Sequence, residues 1–253
     1  MSELQLIGQG WTTKVYRDGK KAIKVYIDPP PNEAQNEAKK QEIAYKAQLP
    51  VPAVYEVRVI DEHTVALDME YIEGEMLGDE KTKEEDFPEK IKILVELQIM
   101  VHSKKVDGLP SMYDQLNKKI NRSKHIDNLQ KQKLTALVDE TISDSCYLCH
   151  GDFHPMNILF DGDKYWIIDW VDATQGNPLS DVCRSYMLFL VQGYTEVAEY
   201  YLKSYCQATY IDESEVKVFL PIHSAIRLEE NVPDKEKEIL KAIITEWDIN
   251  SKM

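Results

Sequence analysis

Three residues near the middle of the chain, Asp152, Asn157 and Asp169, carry side chains that could together accept a proton and bind a metal ion. Asn157 follows Asp152 by five positions, and Asp169 comes after a short apolar segment. A carboxylate can take a proton from a hydroxyl group, and carboxylate and amide oxygens are the hard ligands that Mg²⁺ prefers. These residue types at this spacing indicate a site that combines a general base with a divalent cation.

The sequence after Asn157 predicts a tight β-hairpin. Two short apolar strands, residues 158–160 and 165–168, flank the turn residues Asp161-Gly162-Asp163-Lys164. A hairpin of this length brings its outer ends together. We therefore expect Asn157, which enters the hairpin, and Asp169, which leaves it, at the same open end.

The same residues resemble the signature of a known enzyme family. The run His-Gly-Asp-x-His-Pro-x-Asn-Ile-Leu, from His150 to Leu159, is followed by Ile168-Asp169-Trp170. This pattern is similar to that of the aminoglycoside phosphotransferase and choline kinase superfamily, which are small-molecule kinases with a protein-kinase-like fold. The resemblance implies that Asp152 accepts the proton of the substrate hydroxyl, while Asn157 and Asp169 bind Mg²⁺.

The resemblance also implies the fold class. We expect a two-lobed, protein-kinase-like α+β fold. Residues 1–72 would form an N-lobe with an antiparallel sheet and one helix, which binds the nucleotide. Residues 73–253 would form a mostly helical C-lobe with the catalytic loop, the hairpin and the acceptor pocket.

A glycine-containing segment lies between the first two predicted strands. Gly8-x-Gly10 lacks a third glycine and precedes a strand, which argues against a dinucleotide fingerprint. A strand, a glycine loop and a second strand instead resemble the phosphate-covering loop of kinases. Gly8 and Gly10 would let backbone N–H groups approach phosphate oxygens, and the hydroxyl groups of Thr12 and Thr13 could add donors.

Lys24 stands in Ala-Ile-Lys-Val, close to the third-strand kinase motif Val-Ala-Ile-Lys. The resemblance implies that Lys24 binds the α- and β-phosphates and pairs with a helical glutamate. Glu37 and Glu42 lie on one predicted helix but five positions apart, so both cannot face the lysine. The family has a Glu-Ala pair about a dozen residues before Pro-x-Pro. Glu37-Ala38 matches that distance, and we expect Glu37 as the partner.

The segment from Asp68 to Gly74 resembles the connection between the lobes of these kinases. The resemblance implies that the C=O of Glu70 and the N–H of Ile72 bind the adenine edge, with Met69 at the back of the purine pocket. A strand that ends in a turn is an equally simple interpretation of this stretch, and the two are compatible.

Downstream of the hairpin, Gly176-Asn177-Pro178-x-x-Asp181 also matches the family, and Asp181 is expected to accept hydrogen bonds from the catalytic-loop backbone. Only eleven residues separate Asp169 from Asp181. That leaves no room for a phosphorylated activation loop and argues against a regulated protein kinase. Helical periodicity predicts helices over residues 88–106, 112–121, 128–142, 182–190, 195–209, 213–230 and 234–247.

Composition excludes several other classes of protein. The net charge of −14 argues against a nucleic-acid partner, which needs a basic face, and agrees weakly with a cationic acceptor. The first residues, Met1-Ser2-Glu3-Leu4, do not form a basic region followed by an apolar run, and no apolar run approaches the roughly 20 residues of a membrane span. We therefore expect a cytoplasmic protein without membrane association. The oligomeric state is left open and is compatible with a monomer.

The function predicted from the sequence is transfer of the γ-phosphoryl group of ATP, with Mg²⁺, to a hydroxyl of a small molecule. The acceptor would be aminoglycoside-, choline- or sugar-like. Two alternatives remain open: a kinase that acts on a protein-attached group, and a catalytically silent nucleotide-binding module. The sequence does not select the acceptor, decide between ATP and GTP, or establish antibiotic resistance.

Overall fold

The structure, a computed structural model, describes residues 4–10, 13–30, 32–79, 82–142 and 145–250. None of the helices in these ranges is long and apolar enough to cross a membrane.

The chain folds into two compact units, and both are discontinuous in sequence. The first contains residues 1–81 and 154–172, and the second contains residues 82–153 and 173–253. The predicted hairpin therefore belongs to the same unit as the N-terminal sheet. The assignment of residues 1–72 and 73–253 to functional lobes stays a prediction.

The strands of the described residues form three sheets. A five-stranded antiparallel sheet has the order β1-β2-β3-β5-β4, a three-stranded sheet has the order β6-β8-β9, and β10 pairs with β7. In chain order the strands are β1 (Gln5–Gln9), β2 (Thr13–Asp18), β3 (Lys21–Ile27), β4 (Val54–Asp61), β5 (Thr64–Glu70), β6 (Glu75–Met76), β7 (Tyr147–Cys149), β8 (Ile158–Phe160), β9 (Tyr165–Ile167) and β10 (Thr174–Gly176).

The helices lie mostly in the second unit. Only the first of them belongs to the described part of the N-terminal unit, where it covers the five-stranded sheet. They are α1 (Glu33–Lys46), α2 (Phe87–His102), α3 (Met112–Arg122), α4 (Asn128–Thr141), α5 (Pro178–Val191), α6 (Thr195–Thr209), α7 (Glu213–Lys217), α8 (Leu220–Arg227) and α9 (Asp234–Asn250), with short 3₁₀ turns at Glu84–Asp86 and Pro155–Asn157.

The first unit has its core between the sheet and α1. Tyr26 of β3 and Leu67 of β5 point to the same face of the sheet and are buried against Ala34 and Ala38 of the helix. The alternation of side chains along a strand puts Met69 on that face as well, and it packs against the same cluster. The core therefore fixes the helix over the face of β3 that carries Lys24.

In the second unit α5 is the central element. It packs against α6, α7, α8 and α9, and most of its side chains are buried. Asn177 caps it, with the side-chain oxygen accepting a hydrogen bond from Leu179 N at 3.0 Å, and Pro178 occupies the first turn, where its missing N–H costs nothing. The predicted start at residue 182 is therefore wrong, because the cap and the proline begin the helix one turn earlier.

Two other helix predictions also need correction. Residues 104–106 are extended rather than helical, because Lys104 O and Val106 N form hydrogen bonds of 2.8 and 2.9 Å with the segment of β7; α2 ends at His102. The helix predicted over residues 213–230 is divided into α7 and α8. Pro221 lies in the first turn of α8 and has no N–H to continue α7.

Candidate active site

Lys24 lies at the centre of a charged cluster in the first unit. Its Nζ is 2.8 Å from Glu37 Oε1 and 3.1 Å from Asp169 Oδ1. Glu42 faces elsewhere, because five residues turn the helix by about 140°; it pairs instead with Lys46 at 3.1 Å. The structure thus brings together three of the residues selected from the sequence, and Glu37 is the glutamate beside the lysine.

Burial and charge act in opposite directions on Lys24. Burial alone would lower its pKa, but the carboxylates of Glu37 and Asp169 outweigh that effect and raise the pKa above the ordinary value of 10.5. The lysine therefore stays protonated at neutral pH. A buried ammonium of this kind needs partners on every side, and an anion that approached Asp169 would meet a positive charge already in place.

Tyr26 completes the cluster from the same strand. Its hydroxyl donates a hydrogen bond to Glu37 Oε2, and its ring lies 5.7 Å from Lys24 Nζ. Burial, followed by the charge of Glu37, raises the pKa of Tyr26, so the hydroxyl remains a donor. Both oxygens of Glu37 are thus engaged, one by Lys24 and one by Tyr26.

The hairpin formed by β8 and β9 positions Asn157 and Asp169. Ile158 pairs with Ile167, and Ile168 N donates to Asn157 O at 3.0 Å. Asn157 and Asp169 consequently flank the open end of the hairpin, as predicted from the turn sequence. Asp169 has a left-handed backbone, with φ of 64°, which is uncommon for a residue other than glycine and is typical of a constrained functional position.

The two residues at this end of the hairpin carry oxygen atoms of the type that binds magnesium. Asn157 carries a side-chain amide oxygen, and its Nδ2 lies 3.2 Å from His154 Nε2. Asp169 offers a partly exposed carboxylate. Both are hard oxygen ligands of the kind that Mg²⁺ selects.

The glycine segment is shorter in the structure than predicted. Gly8 lies within β1 and pairs with Val15 at a register shift, so it is part of the strand and not of the loop. Gly10 N donates to Thr13 O at 2.9 Å, which closes the connection to β2. Thr13 is the first residue of that strand, and Thr12 lies outside the described residues.

The residues predicted to contact the adenine lie at the end of β5 and just after it. Glu70 is its last residue, and Ile72 lies in the irregular segment that follows. Glu70 is tied to Ala53 by two hydrogen bonds, from its N–H to Ala53 O at 2.8 Å and from Ala53 N to its carboxylate at 3.2 Å. Met69 Sδ lies 3.7 Å from Gln41 Nε2 on α1.

Asp152 belongs to the second unit, in the loop that follows β7. The buried carboxylate of Asp181 holds this loop by its backbone, accepting from His150 N at 3.0 Å and from Gly151 N at 2.7 Å. Gly151 has φ of 84°, a conformation that glycine adopts without strain. Asp181 thus accepts hydrogen bonds from the backbone of this loop, as predicted from the sequence.

His102 forms a hydrogen bond with Asp181. His102 Nε2 lies 3.0 Å from Asp181 Oδ2, and its Nδ1 lies 2.8 Å from the hydroxyl of Tyr205. Burial would raise the pKa of Asp181, but the hydrogen bond from His102 and those from the loop backbone keep it below the ordinary value. Asp181 is therefore a charged anchor inside the second unit.

The profile of the phosphotransferase enzyme family (APH) matches residues 3–219, which is most of the chain. The chain belongs to this family. Among curated protein sequences, none matches this phosphotransferase.

Solved structures share its fold. A thermostable mutant of aminoglycoside phosphotransferase APH(4)-Ia, in a ternary complex with AMP-PNP and hygromycin B, is 15% identical with a TM-score of 0.68 over 96% of this chain and 94% of that chain. Choline kinase LicA from Streptococcus pneumoniae is 14% identical with a TM-score of 0.65, covering 96% and 92% of the two chains. An aminoglycoside-3'-phosphotransferase of type VIII is 17% identical with a TM-score of 0.64 over 88% and 93%. These similarities confirm the predicted protein-kinase-like α+β fold.

Two residues of these networks were given no such role from the sequence of this phosphotransferase: Tyr26, which donates to Glu37, and His102, which contacts Asp181. Tyr26 has a local signal, since it lies two positions after Lys24 and so shares its face of β3. His102 has no local signal, because its partners Asp181 and Tyr205 are distant in sequence.

Proposed function

We propose that this family member transfers the γ-phosphoryl group of ATP to a hydroxyl group of a small molecule. The observation that carries the proposal is the buried Lys24 ammonium, 2.8 Å from Glu37 and 3.1 Å from Asp169. A fixed positive charge beside a carboxylate at a hairpin end is suited to a nucleotide that carries both phosphate charge and a divalent cation.

Within this proposal Lys24 binds the α- and β-phosphates and Glu37 holds the lysine in place. Asn157 and Asp169 would hold Mg²⁺, which when bound neutralises phosphate charge and orients the phosphoryl group. The turn at Gly10 and the hydroxyl groups of Thr12 and Thr13 would cover the phosphates. Gly8 would contribute only through the backbone of β1.

The base of the nucleotide is assigned to the end of β5. Glu70 would accept a hydrogen bond through its C=O and Ile72 would donate one through its N–H, while Met69 would limit the depth of the pocket. Glu70 is well suited to this because its N–H and side chain are already fixed to Ala53. The proposal makes residues 1–72 the nucleotide-binding part and residues 73–253 the part that binds the acceptor.

Asp152 is proposed to orient the acceptor hydroxyl and to accept its proton. Its support is the five-residue spacing to Asn157 and a loop backbone that is held rigidly by Asp181. Most of the rate enhancement would come from positioning and charge stabilisation, because the phosphoryl-transfer transition state is loose.

The acceptor is proposed to be a small hydroxyl compound. Solved structures that share this fold include aminoglycoside phosphotransferases, among them a complex with hygromycin B, and a choline kinase. The protein should be incubated with MgATP and a panel of aminoglycosides, choline-like amines, sugars and amino alcohols, with ADP formation as the readout.

The test uses Asp152→Ala beside the wild type. We expect one acceptor class to stimulate ADP formation, and the variant to lose about 10²–10⁴-fold in kcat while calorimetry shows unchanged MgATP binding. Nucleotide binding without turnover on any acceptor would favour the silent module instead. Full turnover by Asp152→Ala would refute the role assigned to Asp152.

A further inference from the structure

One face of α5 contacts several residues of the catalytic loop, residues 150–153. Asp181, Arg184 and Ser185 lie three and four positions apart and so share a face of the helix. Asp181 accepts from the N–H groups of residues 150 and 151, and Ser185 Oγ donates to Phe153 O at 2.7 Å. The backbone of the loop on both sides of Asp152 is thus fixed by this helix face.

Arg184 is the member of this face that reaches the side chain of Asp152. Its Nη2 lies 3.9 Å from Asp152 Oδ1. That distance is too long for a hydrogen bond but short for an interaction between two unit charges, particularly where one partner is removed from water. Arg184 is 8% exposed, so the charge is poorly screened.

A chain of alternating charges holds Arg184 from its other side. Its Nη2 also lies 3.0 Å from Glu230 Oε1. The second oxygen of Glu230 accepts from Arg227 Nη1, and Arg227 Nη2 lies 3.2 Å from Glu236 Oε2 on α9. The guanidinium therefore has a fixed position that does not depend on Asp152.

The simplest alternative is that Arg184 only stabilises the second unit through Glu230. That role explains the 3.0 Å ion pair but not why the same nitrogen faces the carboxylate of Asp152. A residue that served packing alone would also be replaceable by a neutral side chain of similar size without affecting the chemical step.

We propose that Arg184 is a positioning residue for Asp152, and that Glu230 and Arg227 hold it in place; this rests on the proposed function of Asp152 as the proton acceptor. The backbone anchors of Asp181 and Ser185 set where the loop lies, and Arg184 sets where the carboxylate points. Without its guanidinium, Asp152 would sample rotamers in which Oδ1 no longer faces the acceptor hydroxyl.

The experiment compares the full-length wild type with Arg184→Gln and Arg184→Lys, and with Arg122→Gln as the matched control. Arg122 is an exposed residue at the end of α3 in the same unit, so its loss changes the net charge equally. Turnover is measured with the panel compound that the wild type phosphorylates. If the wild type phosphorylates none of them, the hydrolysis of MgATP is measured, in which water accepts the γ-phosphoryl group. MgATP affinity and the thermal midpoint are measured for each protein.

We expect Arg184→Gln to lower kcat by about tenfold or more with KM for MgATP changed less than about twofold, and Arg184→Lys to recover part of kcat. Arg122→Gln should match the wild type. A wild-type kcat in folded Arg184→Gln would overturn the assignment of Arg184 alone. A wild type without any turnover would instead remove the proposed function, and the role of Arg184 with it.

A second variant keeps the test decisive if Arg184→Gln does not fold. Glu230→Gln retains an oxygen for the arginine but removes the charge that holds it, and we expect a smaller loss in kcat, about threefold, at constant KM for MgATP. An unchanged kcat in Glu230→Gln would then count against the proposal. Equal losses in kcat, nucleotide affinity and thermal midpoint would show a structural role only.

Discussion

Lys24 and Glu37 form an ion pair of 2.8 Å between β3 and α1, with both side chains almost completely buried. The pair fixes the helix to the strand and leaves the ammonium directed at Asp169 as well. A buried ion pair is costly to form, but removing one of its two charges costs even more, because the remaining charge is then buried without a partner or hydrating water. Substitutions in this pair should therefore be informative.

Glu37→Gln should impair nucleotide use, whereas Glu42→Gln on the same helix should not. Loss of the Glu37 charge leaves Lys24 beside Asp169, and the ammonium should shift towards that carboxylate and away from the position proposed for the phosphates. We expect kcat/KM for MgATP to fall by about 10–10²-fold. Glu42 pairs with Lys46 on the exposed side of α1. Steady-state kinetics that showed equal losses in both variants would contradict this assignment.

Tyr26→Phe should reduce stability more than it reduces activity. The substitution removes the hydroxyl that donates to Glu37 and leaves a buried carboxylate oxygen without that donor, at a cost of about 1–3 kcal/mol. Urea denaturation at neutral pH measures the difference in free energy of unfolding. Tyr45→Phe on α1 is the control because Tyr45 is half exposed, and it should change the free energy very little. Similar values for the two variants would show that the hydroxyl of Tyr26 contributes nothing.

His223 should make the protein less stable in weak acid. Burial, and next the charge of Arg184, lower the pKa of His223 to about 3, and its Nε2 lies 2.9 Å from Ser180 Oγ. Between its unfolded pKa, ordinarily near 6.5, and that folded value, only the unfolded state binds the extra proton. The free energy of unfolding should therefore fall as the pH drops through this window, by up to about 1.4 kcal/mol per pH unit.

Equilibrium denaturation between pH 7 and pH 4 tests this pH dependence. His223→Gln cannot bind the proton, so its stability should decline less steeply than that of the wild type. His125→Gln replaces an exposed histidine of the same unit and should keep the wild-type slope. Parallel curves for the wild type and His223→Gln would mean that another group causes the acid sensitivity.

Gly74→Ala should destabilise the first unit. A β-carbon on Gly74 would lie 2.6 Å from the carbonyl oxygen of Phe160, a backbone atom that cannot rotate away. The clash should separate β6 from β8 at a cost of about 1–3 kcal/mol, visible as a lower thermal midpoint. Gly8→Ala is the matched control, because its new carbon would approach Val15 no closer than 3.6 Å. A wild-type midpoint for Gly74→Ala would show that the strands can shift freely.

Local patterns in the sequence were enough to predict the hairpin and the residues at its open end. The turn sequence, two short apolar strands and the period of two residues along a strand fix the position of Asn157 relative to Asp169. The choice of Glu37 over Glu42 followed from two facts. Residues five positions apart on a helix cannot both face Lys24, and the family pattern matches Glu37. The hairpin is determined by residues close together in sequence, whereas Glu37 lies 13 positions from Lys24 and was chosen with the help of the family pattern.

The features that the sequence did not predict depend on distant contacts. β6 has two residues and β10 has three, which is too short for any periodicity, and both exist because another segment pairs with them. His102 and Tyr205 are 103 positions apart, and Arg184 and Glu230 are 46 positions apart. Such pairings arise from how the helices of the second unit pack against one another, which no local pattern contains.

The discontinuous first unit has a consequence for biosynthesis and for fragments of the protein. Its sheet and α1 are translated early, but the segment that carries Asn157 and Asp169 leaves the ribosome only after residues 82–153 have been made. A truncated polypeptide that ends near residue 81 would keep Lys24 and Glu37 but would lack the second carboxylate partner of the lysine. The ammonium of Lys24 is therefore incompletely neutralised in such a fragment, and in a nascent chain until the segment with Asp169 has been made.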